Sequence, residues 1–190
     1  MRKQFYKYVI PSVLAFALSG VYAIVDGFFI GNSVGDIGLA AINIAYPITA
    51  LIQSIGTGIG IGGSVELSVN IGKNDVKAQK SYFTATIFML ILASIICTAI
   101  LHFTSPTLLT AFGAEGELHS YAMDYISIII LGSVFQIMGT GLVPLIRNVV
   151  TSSAAMLAML VGFATNIILD YTLIYIYSLG IAGAAIASIT

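Results

Sequence analysis

The chain has 190 residues, of which 58% are hydrophobic and 8% charged, and its formal net charge is −1. Soluble domains carry about 25% charged residues, so a water-surrounded fold is excluded and a lipid-surrounded one indicated. The near-zero net charge and the absence of a basic block exclude a nucleic-acid surface, and the single cysteine, Cys97, excludes an intrachain disulfide.

The first apolar run covers 8–30, about 23 residues, where roughly 20 helical residues suffice for a 30 Å hydrocarbon core. Arg2, Lys3 and Lys7 precede it and Ala15-Phe16-Ala17 lies within it. Apolar sequence continues well beyond that point, as in an uncleaved span rather than a signal peptide. Further runs follow at 39–65, 81–104, 121–144 and 154–177, and 181–190 reads as the opening turns of a sixth. Strand alternation is absent, and only helices or closed barrels satisfy the backbone in lipid. The expected fold is therefore all-α: a polytopic transmembrane bundle of five full spans and the start of a sixth, in one domain over 1–190.

Connections between the runs are short. In the stretch from Glu66 to Lys80, Gly72 is a helix stop and Asn74-Asp75 a helix N-cap before Val76. All seven basic residues fall on one side of the predicted bundle: Arg2, Lys3 and Lys7 before the first span, Lys73, Lys77 and Lys80 after the second, and Arg147 after the fourth. Cytoplasmic loops collect Lys and Arg, so the N-terminus is expected in the cytoplasm.

Two carboxylates interrupt the apolar runs. Asp26 lies four residues before Ile30 and Asp170 seven before Tyr177, which places both roughly 6 to 11 Å below the outer boundary. Asn166, four residues before Asp170, shares its helix face. Ser188, on an inward-running sixth helix, comes to a similar depth, about 10 to 12 Å. Intramembrane acids are costly and mark ion or proton sites. Two carboxylates, an amide carbonyl and a hydroxyl suit a hard cation, so Asp26, Asn166 and Asp170 are a candidate Na⁺ site with Ser188 beside them. The same groups suit a proton. A plainer role, hydrogen bonding to a neighbouring helix, is open to each. Asp124, read as lying in the first turn of the fourth helix, is expected to cap it near the outer interface.

Gly58 to Gly63 matches G-x-G-x-x-G, but no strand or βαβ unit accompanies it, so it is not a dinucleotide motif. Glycines four apart, Gly56 with Gly60 and Gly58 with Gly62, instead permit close helix approach or bending. Tyr8, Tyr121, Tyr175 and Tyr177 are interfacial anchors. Tyr22, Tyr46, Gln53 and Gln136, with Phe28 and Tyr125, are candidate linings of a cavity for an amphipathic substrate. His102 and His119 are too isolated for a metal site, and no catalytic triad is visible.

The stretch Tyr22-Ala23-Ile24-Val25-Asp26-Gly27-Phe28-Phe29-Ile30-Gly31, with Leu39-Ala40-Ala41 and Tyr46-Pro47, resembles the first two helices of multidrug and toxic compound extrusion (MATE) transporters. Gly72-Lys73-Asn74-Asp75 and Phe112-Gly113-Ala114 are similar to loops of that family. Asn166-Ile167-Ile168-Leu169-Asp170 and Gly180-Ile181-Ala182-Gly183-Ala184-Ala185-Ile186-Ala187-Ser188 resemble its fifth and sixth helices. Arg147-Asn148-Val149-Val150-Thr151-Ser152 departs from it by lacking the usual glycine. The resemblance implies an antiporter, not an enzyme, that exports organic cations or drugs in exchange for Na⁺ or H⁺, with no other cofactor. It places Asp26, Asn166 and Asp170 in an amino-terminal-lobe cation site, and Ser188 where a threonine ligand is common. It further implies the cytoplasmic membrane of a bacterium or archaeon, and a partner for this amino-terminal lobe, either a carboxy-terminal lobe or a second chain. Three other readings remain: a lipid-linked oligosaccharide flippase of the same superfamily, a non-transporting remnant, and an intramembrane aspartyl protease. For the protease, Asp170 lacks the expected Gly-x-Gly before it.

Overall fold

The computed structural model describes residues 2–190, with side chains from residue 9 onward except those of Ser12, Phe16 and Tyr22. Among the described residues there are seven α-helices and no strand: α1 Arg2–Ser33, α2 Asp36–Gly72, α3 Val76–Ala111, α4 Gly116–Leu131, α5 Ser133–Val149, α6 Ser152–Asp170 and α7 Gly180–Ile189. A π-helical turn, Tyr171–Ile176, continues α6.

Four helices are long and apolar enough to cross a membrane: Val9–Ser33, Asp36–Gly72, Val76–Ala111 and the continuous Ser152–Ile176. The α4–α5 pair makes a fifth when taken as one broken span. Large apolar side chains such as Phe88, Ile95, Ile100 and Phe103 stand exposed along α3, and Val161 and Ile168 along α6. So much exposed apolar surface is stable only where the surroundings are equally apolar.

Several helices exceed the hydropathy runs. α2 has 37 residues and α3 has 36, about 55 Å each at 1.5 Å per residue. The stretch 66–80, expected to be a link, is helical except for Lys73, Asn74 and Asp75. Asp75 caps α3 by accepting from the Ala78 amide at 3.0 Å, and Gln79 ties the turn by donating to the Asn70 carbonyl at 3.1 Å. At the other end, α3 continues through Pro106 to Ala111, and α4 begins at Gly116, so most of the expected outer loop is also helix.

The expected single helix over 121–144 is instead two helices bent by 59° at Gly132. A Cβ on Gly132 would come within 2.6 Å of Ile189 Cβ, so glycine lets α7 lie against the bend. Thr98 of α3 and Ser133, the first residue of α5, join their hydroxyls at 2.6 Å. Thr98 also donates to the Ser94 carbonyl at 2.8 Å, so its proton is committed and Ser133 donates across the helices. Ser133 is fully buried. Thr98→Val is therefore expected to cost about 1 kcal/mol, read as a lower unfolding midpoint in mild detergent; an unchanged midpoint would mean that the bridge adds nothing.

α2 is the central post, packed against α3, α4 and α5, while α1 packs mainly along α6 and α4 along α7. Its buried stripe runs through Ala41, Ala45, Ile52, Gly56, Gly60 and Ser64. Gly56 and Gly60 meet the α5 backbone: a Cβ on Gly60 would strike Gly141, whose Cα is 2.7 Å away. Gly58 and Gly62 face open space. Of the two four-residue glycine pairs, only the first is thus a packing seam. The main core joins Ile48 and Ile52 of α2, Leu90 and Leu101 of α3, and Ile126 and Ile129 of α4. A second, smaller cluster of Ile30, Ile174 and Ala184 ties α1 to the π turn and α7.

Candidate cation site and the groove along the second helix

An uninterrupted helix carries Asp26 into the bundle three residues short of Phe29, and α6 ends on Asp170 itself. Asp170 is 0% exposed and Asn166, one turn earlier, is 8% exposed. Because α1 packs along α6, the two carboxyl groups come within hydrogen-bonding reach of each other. No donor reaches Asp26 Oδ1, Asn166 Oδ1 or either oxygen of Asp170, all of which are buried. Ionised carboxylates and amide carbonyls are acceptors only, so these four oxygens cannot satisfy one another. Buried acceptors of this kind are satisfied by a cation, a proton or a bound water.

Tyr125 of α4 joins this cluster. It is buried and lies close to Ser188, Asp26 and Asp170. In the sequence Tyr125 is a candidate lining of the substrate cavity only, since a tyrosine adjacent to Asp124 gives no sign of this neighbourhood. The oxygen set fits a hard monovalent cation, which takes oxygen ligands in place of water. Among the described residues no group of three or more His, Cys, Asp or Glu side chains could hold a metal ion.

Asp124 is not a helix cap. α4 starts at Gly116, after a turn that uses positive φ at Gly113 and Gly116, so Asp124 stands two turns into the helix. There it lines a cavity of about 620 Å³ with Ser33, Val34, Tyr121, Ser127 and Ser178.

The candidate substrate residues do not form one cavity. Tyr46 and Gln53 share a groove of about 460 Å³ along one face of α2, with Ser54, Thr57, Gly58 and Ile61. Gln136 is elsewhere, its amide nitrogen 3.5 Å from the Ser188 carbonyl oxygen and its Oε1 buried without a donor. Its α5 position follows the bend at Gly132 and turns it toward α7. Phe28 is exposed on α1 and packs edge-on against Phe29. The side chain of Tyr22 lies outside the described residues.

This bundle of long apolar helices defines a multi-pass membrane protein of the all-α class, and its carboxylate pair sits well inside it. The chain belongs to the MatE family, whose model matches residues 11–172. It is 27% identical over 179 residues to the multidrug export protein MepA of Staphylococcus saprophyticus, covering 94% of this chain and 40% of that protein. It is 30% identical over 182 residues to MepA of Staphylococcus haemolyticus, with the same coverage. The fold superposes on the crystal structure of MATE in the bent conformation with a TM-score of 0.91 at 24% identity, covering 99% of this chain and 42% of that one. The chain thus spans about two fifths of the length of the curated relatives it matches.

Proposed function

We propose that this chain forms the ion-coupling lobe of a secondary antiporter that exports amphipathic organic compounds in exchange for Na⁺ or H⁺, and that it is not an enzyme. The observation that carries the reading is the set of four buried acceptor oxygens on Asp26, Asn166 and Asp170 with no donor among them. Such a set is costly when bare and favourable when it holds a positive charge. The export function named for its MepA relatives supports the same direction. The groove with Tyr46 and Gln53 supplies aromatic and amide surface for an organic cation, facing a second lobe or a second copy of the chain. In this reading the N-terminus and the basic loops are cytoplasmic, and the membrane is the cell's own.

Asp26, Asn166 and Asp170 would hold the ion, with Tyr125 and Ser188 bracing the pocket. When bound, the ion supplies neutralising charge. The chain draws the two carboxylates together around it and shifts α1 against α6. Ion and organic substrate must then alter each other's affinity by the same factor. The test is efflux of a fluorescent organic cation from vesicles containing the assembled transporter, under imposed Na⁺ or H⁺ gradients. An inward tenfold gradient of the coupling ion, worth about 1.4 kcal/mol, should speed efflux. Efflux indifferent to both gradients would sink antiport.

A further inference from the structure

Three layers of side chains lie above one another between the carboxylates and the outer surface. Asp26, Asp170 and Ser188 bear the deepest layer. One turn outward on each element come Ile30, Ile174 and Ala184, which form the separate cluster between α1, the π turn and α7, exposed by 1%, 3% and 0%. Beyond them, where the chain leaves α1 and the π turn and enters α7, come Val34, Ser178 and Gly180, all lining the 620 Å³ cavity. The outward direction is +4 on α1 and α6 but −4 on α7, because α7 runs back. Three chain segments thus repeat the order of polar site, apolar plug and open cavity.

The cavity has a polar character that suits cations. Asp124 is the one carboxylate in its lining, which it shares with the hydroxyl-bearing residues Ser33, Ser127, Ser178 and Tyr121. Asp124, Ser33, Ser127 and Ser178 are exposed. A carboxylate in a concave, low-dielectric wall concentrates cations and raises their arrival rate.

We propose that this cavity is an outer vestibule that collects a hydrated monovalent cation at Asp124, and that Ile30, Ile174 and Ala184 are the apolar gate through which the cation reaches Asp26 and Asp170. The proposal rests on the cation-site reading given above. Asp124 is a recruiting residue and never a ligand of the inner site. Because the triad is buried, the cation passes to the inner site only when these side chains part.

The test uses access from outside to a cysteine at the inner layer, in the assembled transporter in intact cells. The reporter is Ser188→Cys with the native thiol removed by Cys97→Ala, and the probes are a cationic and a neutral membrane-impermeant thiosulfonate of similar size. Labelling of the reporter should be slow, and Ile174→Ala should speed it at least about tenfold by removing one large side chain from the barrier. Ile174→Val, which spares the fold, should give a smaller acceleration. Asp124→Asn should slow the cationic probe by about tenfold and leave the neutral probe unchanged. Unaltered labelling in both Ile174 variants would overturn the gate, and equal slowing of both probes by Asp124→Asn would overturn the vestibule. Failure of the underlying reading is recognised separately. If radioactive Na⁺ binding and proton-driven export are both indifferent to Asp170→Asn, the inner site falls, whatever the labelling rates are.

Discussion

Asp170→Asn in the assembled transporter is expected to abolish ion-driven export and, in the absence of the ion, to make the bundle harder to unfold. The two effects have one origin. Asp170 is fully buried and neither of its carboxyl oxygens finds a donor. Whenever both are ionised, two unit charges about 4 Å apart repel by roughly 4 kcal/mol at an effective dielectric of 20. Asparagine removes that repulsion and offers an N–H to Asp26 Oδ1, a gain of about 1–3 kcal/mol in folded stability. The same exchange removes one of two negative charges from the coupling ion, so ion affinity should fall about a hundredfold or more. Where Na⁺ is the coupling ion, it should stabilise the native lobe by about 2.7 kcal/mol at a hundred times its Kd and the variant hardly at all. Thermal unfolding with and without Na⁺, set beside vesicle efflux, checks both halves. Export at the native rate with native ion-dependent stabilisation would remove Asp170 from the site.

The second large effect belongs to the α2–α5 seam. Gly60→Leu puts a side chain where the Gly141 backbone already lies, and backbone cannot swing aside as a long side chain can. The helices must separate along their whole contact, and the loss is expected to reach about 3 kcal/mol or more, at the upper end of overpacking costs. The variant should aggregate on extraction rather than elute as a single species. Gly62→Ala is the matched control, because a Cβ there meets nothing within 4 Å. It should be neutral or gain up to about 1 kcal/mol from helix propensity. Equal behaviour of the two variants would mean that the seam is looser than its geometry.

The helical class was legible because hydropathy reports lipid directly, and the pairing of Asp26 with Asp170 was legible because an acid at matched depth on two helices has few places to go. Helix ends were not. Hydropathy marks where lipid stops, while α2 and α3 run on through Asn70 and Gln79, whose amides bond within and across the turn. The break at Gly132 was hidden because the side chain that lies against it, Ile189, is 57 positions away in the chain. Tyr125 and the ordering of Ile30, Ile174 and Ala184 arise only once α1, α4, α6 and α7 are packed. The glycine pairs show the same limit: spacing allowed both, and only the α5 contact separates Gly56 and Gly60 from Gly58 and Gly62.

The π-helical turn has a consequence for chain length. A π turn holds one residue more than an α-helical turn would, which the helix accommodates by widening. Removing any one residue between Tyr171 and Ile176 would let the segment return to regular winding. The residues inside the turn would then shift about the helix axis by up to about 100°, and Ile174 or its substitute would leave Ile30. Composition in this stretch is forgiving, since a leucine serves nearly as well as an isoleucine in an apolar contact. Residue count is not, because the widened turn begins directly beyond the buried Asp170.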